Sequence, residues 1–431
     1  MARLLTPRAT SLMNETTLYT VDEVQRLVTA DARPLSWEQV PLQEARNRVL
    51  ACNVVTDTQL PPFTNSAVDG YAVHSDDLSG ASSSNPVVLQ ECGVVMAGDN
   101  ADWDLPDGGA ARIMTGAPVP RGADAVVMVE DVIKYPAAES PTTVEFTTPA
   151  GRGQHIRVAG EDIETGQVAL PAGTVVRSGE VALLAAIGCI RPTVLRRPRI
   201  ALFTTGDEVV TAEQGILPPV GKLRNCNLPV LMSLAADAGA DVIHAQHLPD
   251  DFDAIKVAIT NVRDKAPVKP DLIVAAGGVS MGDRDYVRAV MGELGALALW
   301  RVAMKPGKPL AFGMTEGMLF FGLPGNPVSV QVTWELFVRP ALRRMQGFTD
   351  LYRHQVVALV DEAISHRAGR REFIRVRLRC EDESWRASTT GPQGSGFLRS
   401  MVGATGLMIV HEQLGDIAAG SALPTLILDT Y

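Results

Sequence analysis

The sequence predicts a multi-domain protein of α/β plus β class: a mostly parallel α/β/α domain, a β-rich inserted domain, an elongated connector and a C-terminal β-barrel. Three observations predict it. Between Arg199 and Gln346, apolar runs alternate with helical stretches, the pattern of an open, largely parallel sheet covered by helices. Between Thr58 and Ser140 the composition shifts to prolines, glycines and short β-rich runs, which mark a small β-domain. After Gly347, short alternating segments return without helical stretches between them, as in a small barrel or sandwich. The 431 residues, 46% of them hydrophobic, suffice for two to four cores. The expected boundaries are 1–62 with 151–197 for the N-terminal helix and connector, 63–150 for the insert, 198–346 for the α/β domain and 347–431 for the barrel.

Along the chain, Thr20 to Ala30 places Val21, Val24, Leu27 and Val28 on one helical face with Thr20 as cap. Ser82–Asn85 and Pro136–Ser140 read as surface turns. Ser178 is placed to cap a short helix that stops at Gly188. The strands of the α/β domain are RIALF, DVIHAQHL, DLIVAA, ALALWRVAM and MLFFG. Its last helix, VSVQVTWELFVRPALRRMQ, contains Pro340, which should kink or end it. In the tail, REFIRVRLRC, GLMIVHE and LPTLILD supply barrel strands.

A formal net charge of −10 argues against nucleic acid or an anionic membrane as partner. Any anion must then be held by local cations. The five cysteines are scattered without a CxxC pair, which argues against a zinc site or a disulfide framework. No apolar run approaches the roughly 18 residues of a membrane helix, and Met1 to Asn14 lacks the apolar core of a secretory signal. A cytoplasmic location is expected.

The chemistry-bearing residues follow the strands. Open parallel sheets bind ligands outside the carboxyl ends of their strands, so these loops should share one crevice. KPGKP brings Lys305 and Lys308 together on a stiff turn, where an anion would relieve their repulsion. Glu208 with Asp207, Asp250 with Asp251, and Asp283 with Asp285 follow three other strands. They suit Mg²⁺, which takes one or two carboxylates together with phosphate oxygens and water. Acidic residues after strands also serve simply as helix caps, a role open to Asp250, Asp251 and Asp283. Gly277 and Gly278 leave backbone N–H groups free to form an anion nest, with Ser280 as a hydroxyl donor. In LPGNP, Pro324 and Gly325 turn the chain, Asn326 can cap the next helix and Pro327 can take its first position. Asp69 and Thr115 lie in unusual loops of the insert, although turn formation alone would explain each. His244 and His247 alternate to opposite faces of a strand and are discounted as a metal pair.

Taken together, NSAVDGYAV, RIMTGAPVP with DAVVMVE, GEDI at Gly160 to Ile163, ALFTTGDE, DLIVAAGGVSMGDRDY, MKPGKP with FGLPGNPVS, and TGPQGSGFLRSM resemble the MoeA family of molybdopterin molybdenumtransferases. The likeness runs from about Thr20 to the C-terminus and extends to the E-domain of gephyrin. It implies insertion of molybdate into adenylyl-molybdopterin with release of AMP, assisted by Mg²⁺. It further implies a MogA-like α/β domain and a homodimer whose active site lies at the subunit interface, and it leaves room for a transient contact with a molybdopterin-adenylating protein. The positions matching the family's functional motifs are Asp69, Thr115, Asp162, Glu208, Asp250, Asp285, Lys305, Lys308, Arg375 and Ser395. Three departures stand out: Val68 where methionine is frequent, Gly396 where histidine is common, and RNCN at Arg224 to Asn227.

The expected division of labour gives Lys305 and Lys308 the oxyanions and Glu208, Asp250 and Asp285 the cation. Asp69, Thr115 and Asp162 join the catalytic set, while Gly277, Gly278, Ser280, Pro324, Gly325, Asn326, Arg375 and Ser395 contact substrate. Two other readings stay open: an adenylyltransferase, which would consume ATP, and a gephyrin-like scaffold, which would not need its acidic loops intact.

Overall fold

The computed structural model describes residues 18–135, 142–211, 217–279 and 285–428. The chain divides into two compact units, one comprising Gln39–Val194 and the other the residues up to Glu38 together with those from Leu195 onward.

In the second of these, a seven-stranded sheet runs in the order Leu18–Tyr19, Ala296–Val302, Pro309–Thr315, Met318–Leu323, Leu272–Ala276, Arg199–Thr205, Asp241–Leu248. Every pairing is parallel except those of Pro309–Thr315, which is antiparallel to both neighbours. The expected strand from Ala296 to Met304 divides in two. Its first part stays in the sheet, whereas Met304–Lys305 pairs with Arg371 and Glu372 in the C-terminal sheet. Alternation sends Ile200 and Leu202 into the core on one face and Ala201 and Phe203 into the core on the other, so a sheet covered on both faces reads as a continuous apolar run. Burial of a side chain such as Phe203 contributes about 1.5–3 kcal/mol.

The N-terminal helix, grouped above with the connector, belongs to this unit. Val21, Val24 and Val28 pack in the same core as Trp334 and Leu336, because a helix with one apolar stripe must bury it on a neighbour. A capping box starts it: the Thr20 hydroxyl accepts from the Glu23 amide at 3.3 Å, and the Thr20 amide donates to the Glu23 carboxylate at 2.8 Å.

Pro340 does not end the last helix. Helical residues Pro327–Thr333 continue through a π-turn at Trp334–Val338 into Arg339–Met345. The proline removes the amide that would bond the Leu336 carbonyl, and Gln25 Nε2 of the N-terminal helix donates to that carbonyl instead, at 3.1 Å.

The tail forms a closed barrel from Arg371–Glu381, Ser384–Thr389, Gln355–Val360, Ala422–Ile427 and Gly406–Val410, sealed by pairing of the first and last. Its own core includes Ile374, Val376 and Met408. Phe373, Leu407 and Ile409 instead join the α/β core, so barrel and sheet are one packed body.

The Gln39–Val194 unit holds a six-stranded sheet in the order Ala125–Met128, Gly70–Val73, Gly109–Ile113, Val87–Val95, Thr143–Phe146, Val132–Tyr135. The connector has a small core around Leu50, Val176, Leu184 and Val194. Its helix spans Ser178–Ala186 with Arg177, not Ser178, at the N-cap; the Arg177 amide donates to the Glu180 carboxylate at 2.8 Å. Ser82 and Asn85 close the predicted turn with reciprocal backbone bonds of 3.0 Å. The predicted turn at Pro136–Ser140 lies outside the described residues. Among the described residues no helix is long and apolar enough to cross a membrane.

Candidate active site

The strands ending at Thr205, Leu248, Ala276, Val302 and Leu323 run in one direction, so their following loops meet at one edge of the sheet. A cavity of about 660 Å³ lies there, and Glu208, Asp250, Asp285, Lys305 and Lys308 all line it. So do Gly277, Gly278, Pro324, Gly325, Asn326 and Ser395. The volume suits a ligand of cofactor size.

The lysine loop is packed in place. Gly307 has φ +98°, and a Cβ there would come within 2.6 Å of the Thr333 methyl, so only glycine fits against the helix. The Val302 amide donates to the Lys308 carbonyl at 2.9 Å. Lys305 Nζ stands 2.8 Å from Glu372 Oε1.

The carboxylates divide their roles. Asp251 is the helix cap, its Oδ1 accepting from the Ala254 amide at 2.7 Å. Asp250 and Asp207 exchange bonds instead: the Asp207 amide donates to Asp250 Oδ2 at 3.3 Å and the Asp250 amide to Asp207 Oδ1 at 3.1 Å. This ties two loops together. Asp285 occupies the N-cap position of the helix Tyr286–Leu294. Glu208 folds back on its own loop, where a Cβ on Gly206 would meet its Oε2 at 2.6 Å. Among the described residues no group of three His, Cys, Asp or Glu side chains is assembled to hold a metal ion. Glu208, Asp250 and Asp285 each line the cavity singly, and separate carboxylates are of the type that Mg²⁺ takes together with ligand oxygens and water.

At Gly277, φ is +106° and a Cβ would stand 2.8 Å from Thr205 Oγ1, so the backbone there tolerates no side chain. That hydroxyl is buried without a hydrogen-bond partner among the described residues. Ser280 and Asp283 lie outside the described residues. Asn326 takes the N-cap position before Pro327, but its side chain does not cap the helix; its Nδ2 donates to Ser395 Oγ at 3.3 Å.

Arg375 departs from its expected role as a substrate contact. It is 0% exposed, and its guanidinium donates to Ser400 Oγ at 3.1 Å and to the carbonyls of Phe373 at 3.1 Å and Gly394 at 3.4 Å. Burial pushes its pKa down to about 10. It braces the loop that carries Ser395 and does not line the cavity. A buried strand position with carbonyls within reach explains this placement, since a guanidinium with five donors can satisfy several at once.

Asn225 and Asn227, part of the RNCN departure from the family pattern, both line the cavity. Asn225 Nδ2 donates to Thr204 Oγ1 at 2.8 Å, and Asn227 Nδ2 to the Gly325 carbonyl at 2.8 Å. Asn227 Oδ1 is buried without a partner among the described residues. Arg370 and Gln393 also line the cavity and were missed. Gln393 lies inside the TGPQGS motif, which was a signal; Arg370 arrives from a barrel turn that carried none.

Asp69, Thr115 and Asp162 belong to the other unit. Asp69 Oδ1 accepts from both the hydroxyl and the amide of Thr115, each at 2.7 Å. The Thr115 hydroxyl and then its amide hold the Asp69 carboxyl below the usual carboxylate range. Asp162 sits in a turn whose amides at Asp162 and Ile163 donate to the Leu60 carbonyl at 3.0 and 3.2 Å. Val68 packs against the insert's core. A Cβ at Gly396 would meet open space, so packing does not forbid a side chain there. His247 contacts Thr204 and His244 contacts Gln246.

The fold and cavity define a multi-domain α/β protein whose cleft is chemically suited to oxyanions and a divalent cation. Three family models match in chain order: the MoeA N-terminal region (domains I and II) over residues 19–188, a probable molybdopterin binding domain over 201–344, and the MoeA C-terminal region (domain IV) over 358–428. A Mycobacterium tuberculosis protein named molybdopterin molybdenumtransferase 2 is 36% identical over 94% of this chain and 98% of its own. A molybdopterin molybdenumtransferase of Haemophilus influenzae is 32% identical over 90% and 93%. The crystal structure of a molybdopterin biosynthesis MoeA protein from Pyrococcus horikoshii superposes with a TM-score of 0.79 at 29% identity, covering 96% of this chain and all of that one. The chain belongs to the MoeA family.

Proposed function

We propose that this protein is a molybdopterin molybdenumtransferase that inserts molybdate into adenylyl-molybdopterin, releasing AMP and forming Mo-molybdopterin. One observation carries the reading: two lysines and three carboxylates from four separate loops line a single cavity. Molybdate, the pterin phosphate and the adenylate phosphate are all anions, and gathering them in a protein of net charge −10 requires local neutralisation. Lys305 and Lys308 hold oxyanion oxygens. Glu208, Asp250 and Asp285 would hold Mg²⁺, which when bound supplies charge neutralisation on the phosphoanhydride. Gly277 and Gly278 let the backbone approach the ligand closely, and Asn326 with Ser395 borders it from the opposite loop.

Asp69, kept ionised by Thr115, and Asp162 complete the catalytic set in this reading. Two copies associate as a homodimer, so that these residues serve the cavity of the other copy. The protein works in the cytoplasm, where the molybdopterin-adenylating protein can deliver its product by transient contact.

The test is AMP release and molybdenum incorporation with purified protein, adenylyl-molybdopterin, molybdate and Mg²⁺. Release of AMP without ATP consumption is expected. ATP consumption with net formation of the adenylate would replace this reading by adenylyl transfer, and absence of both activities would leave a scaffold.

A further inference from the structure

Lys305 reaches the cavity from a two-residue strand that pairs in register with the barrel, Lys305 opposite Glu372. Its Nζ lies 2.8 Å from Glu372 Oε1; the lysine side chain is 46% exposed and the glutamate 3%. The other carboxylate oxygen, Oε2, lies 2.8 Å from His366 Nδ1, and the imidazole is 2% exposed. The His366 amide donates in turn to Asp416 Oδ1 at 2.8 Å. Nε2 of the same ring is buried with no hydrogen-bond partner among the described residues. A carboxylate only accepts, so Nδ1 carries the proton that Glu372 receives. The result is a chain from cavity to interior: the Lys305 ammonium, the Glu372 carboxylate and the imidazole of His366, whose own backbone is tied to the Asp416 side chain.

We infer that Glu372 and His366 are positioning residues that set the location of the Lys305 ammonium in the cavity. The inference rests on the reading of Lys305 as an oxyanion ligand. A free lysine head wanders on a flexible four-carbon stem, and fixing it when a ligand arrives costs rotamer entropy. A buried carboxylate in contact with it removes that freedom beforehand and leaves the other N–H directions for the ligand. Glu372 also offsets part of the ammonium charge, so it does not act by strengthening raw attraction for anions. Its contribution is geometric. Loss of Glu372 should therefore reduce turnover while leaving the KM for molybdate nearly unchanged.

The experiment uses the full chain with adenylyl-molybdopterin and molybdate, reading AMP release. Glu372→Gln is expected to lower kcat roughly tenfold, the scale of a small misplacement, with the KM for molybdate held within about threefold. In a Lys305→Ala background, the same substitution is expected to cost less than about a further twofold, because residues acting through one another are not additive. An undiminished tenfold loss in that background, or a rise in KM without loss of kcat, overturns the inference. His366→Asn, whose amide nitrogen can replace Nδ1, should retain more turnover than His366→Leu when the two are compared at temperatures equally far below their unfolding midpoints. Equal losses would also overturn it. Calorimetric molybdate binding to Lys305→Ala tests the underlying reading separately: undiminished affinity removes the oxyanion role of the lysine itself, whatever the coupling shows.

Discussion

The cavity of the α/β unit and the Asp69–Thr115 pair of the insert both present ionised groups, and they are assembled differently. In the cavity, Glu208, Asp250, Asp285 and the pair Lys305 and Lys308 come from four loops, and the sheet alone brings them together, because its parallel strands end at one edge. In the insert, two loops are joined directly, the Thr115 hydroxyl and amide both bonding one oxygen of Asp69. The first arrangement depends on long-range topology, and single substitutions should weaken its chemistry with little effect on its fold. The second depends on one contact, which a single substitution removes.

The largest expected effect belongs to the cavity. A Lys305→Ala, Lys308→Ala variant should lose at least about 100-fold in AMP release, the scale of removing preorganised charge at an anion. Full activity in that variant would remove the lysines from the mechanism. Next comes the brace behind the cavity. Arg375→Met leaves several buried acceptors unpaired and should destabilise the protein by about 2–4 kcal/mol in denaturant unfolding; unchanged stability would mean that the guanidinium does not hold the loop.

The insert should respond more mildly. Thr115→Val removes the hydroxyl bond but keeps the amide, and a loss of roughly tenfold in AMP release is expected, in line with one charge-assisted bond. The same substitution should raise the Asp69 pKa toward its ordinary value of 3.8, since the hydroxyl is the first cause of its depression. A carboxyl depressed on folding contributes stability above its unfolded pKa and loses it as pH falls through the folded value. Carboxyl-carbon NMR titration should therefore find the parent midpoint below 3.8 and the variant midpoint above the parent's; coincident curves would break the comparison. The smallest effect is Thr20→Ala, which opens the capping box and should cost about 1 kcal/mol of stability.

Much of this was legible in the sequence because it is local. Val21, Val24 and Val28 declare a helix by their spacing, Thr20 declares its start, and the run Ile200 to Phe203 declares a strand covered on both sides. The acidic and basic loops were equally visible, since parallel strands oblige their successors to meet. Pro340 shows what local reading leaves open: it could kink or end its helix, and the helix continues past it through a π-turn, with a glutamine from a distant helix bonding the carbonyl left without its amide donor. Arg375 shows the same for the site, as a motif match cannot tell a guanidinium facing a ligand from one facing carbonyls.

By itself, then, the order of residues determined which segments are strands and helices and which loops carry charge, for these follow from periodicity and from the chemistry of single turns. Only the tertiary structure decided that Asp251 caps while Asp250 faces the cavity, that the N-terminal helix packs on the α/β sheet, and that a glutamate and a histidine of the barrel stand behind Lys305. Those outcomes depend on contacts between residues far apart in the chain, and no local pattern encodes which of several satisfactory partners a polar group will meet.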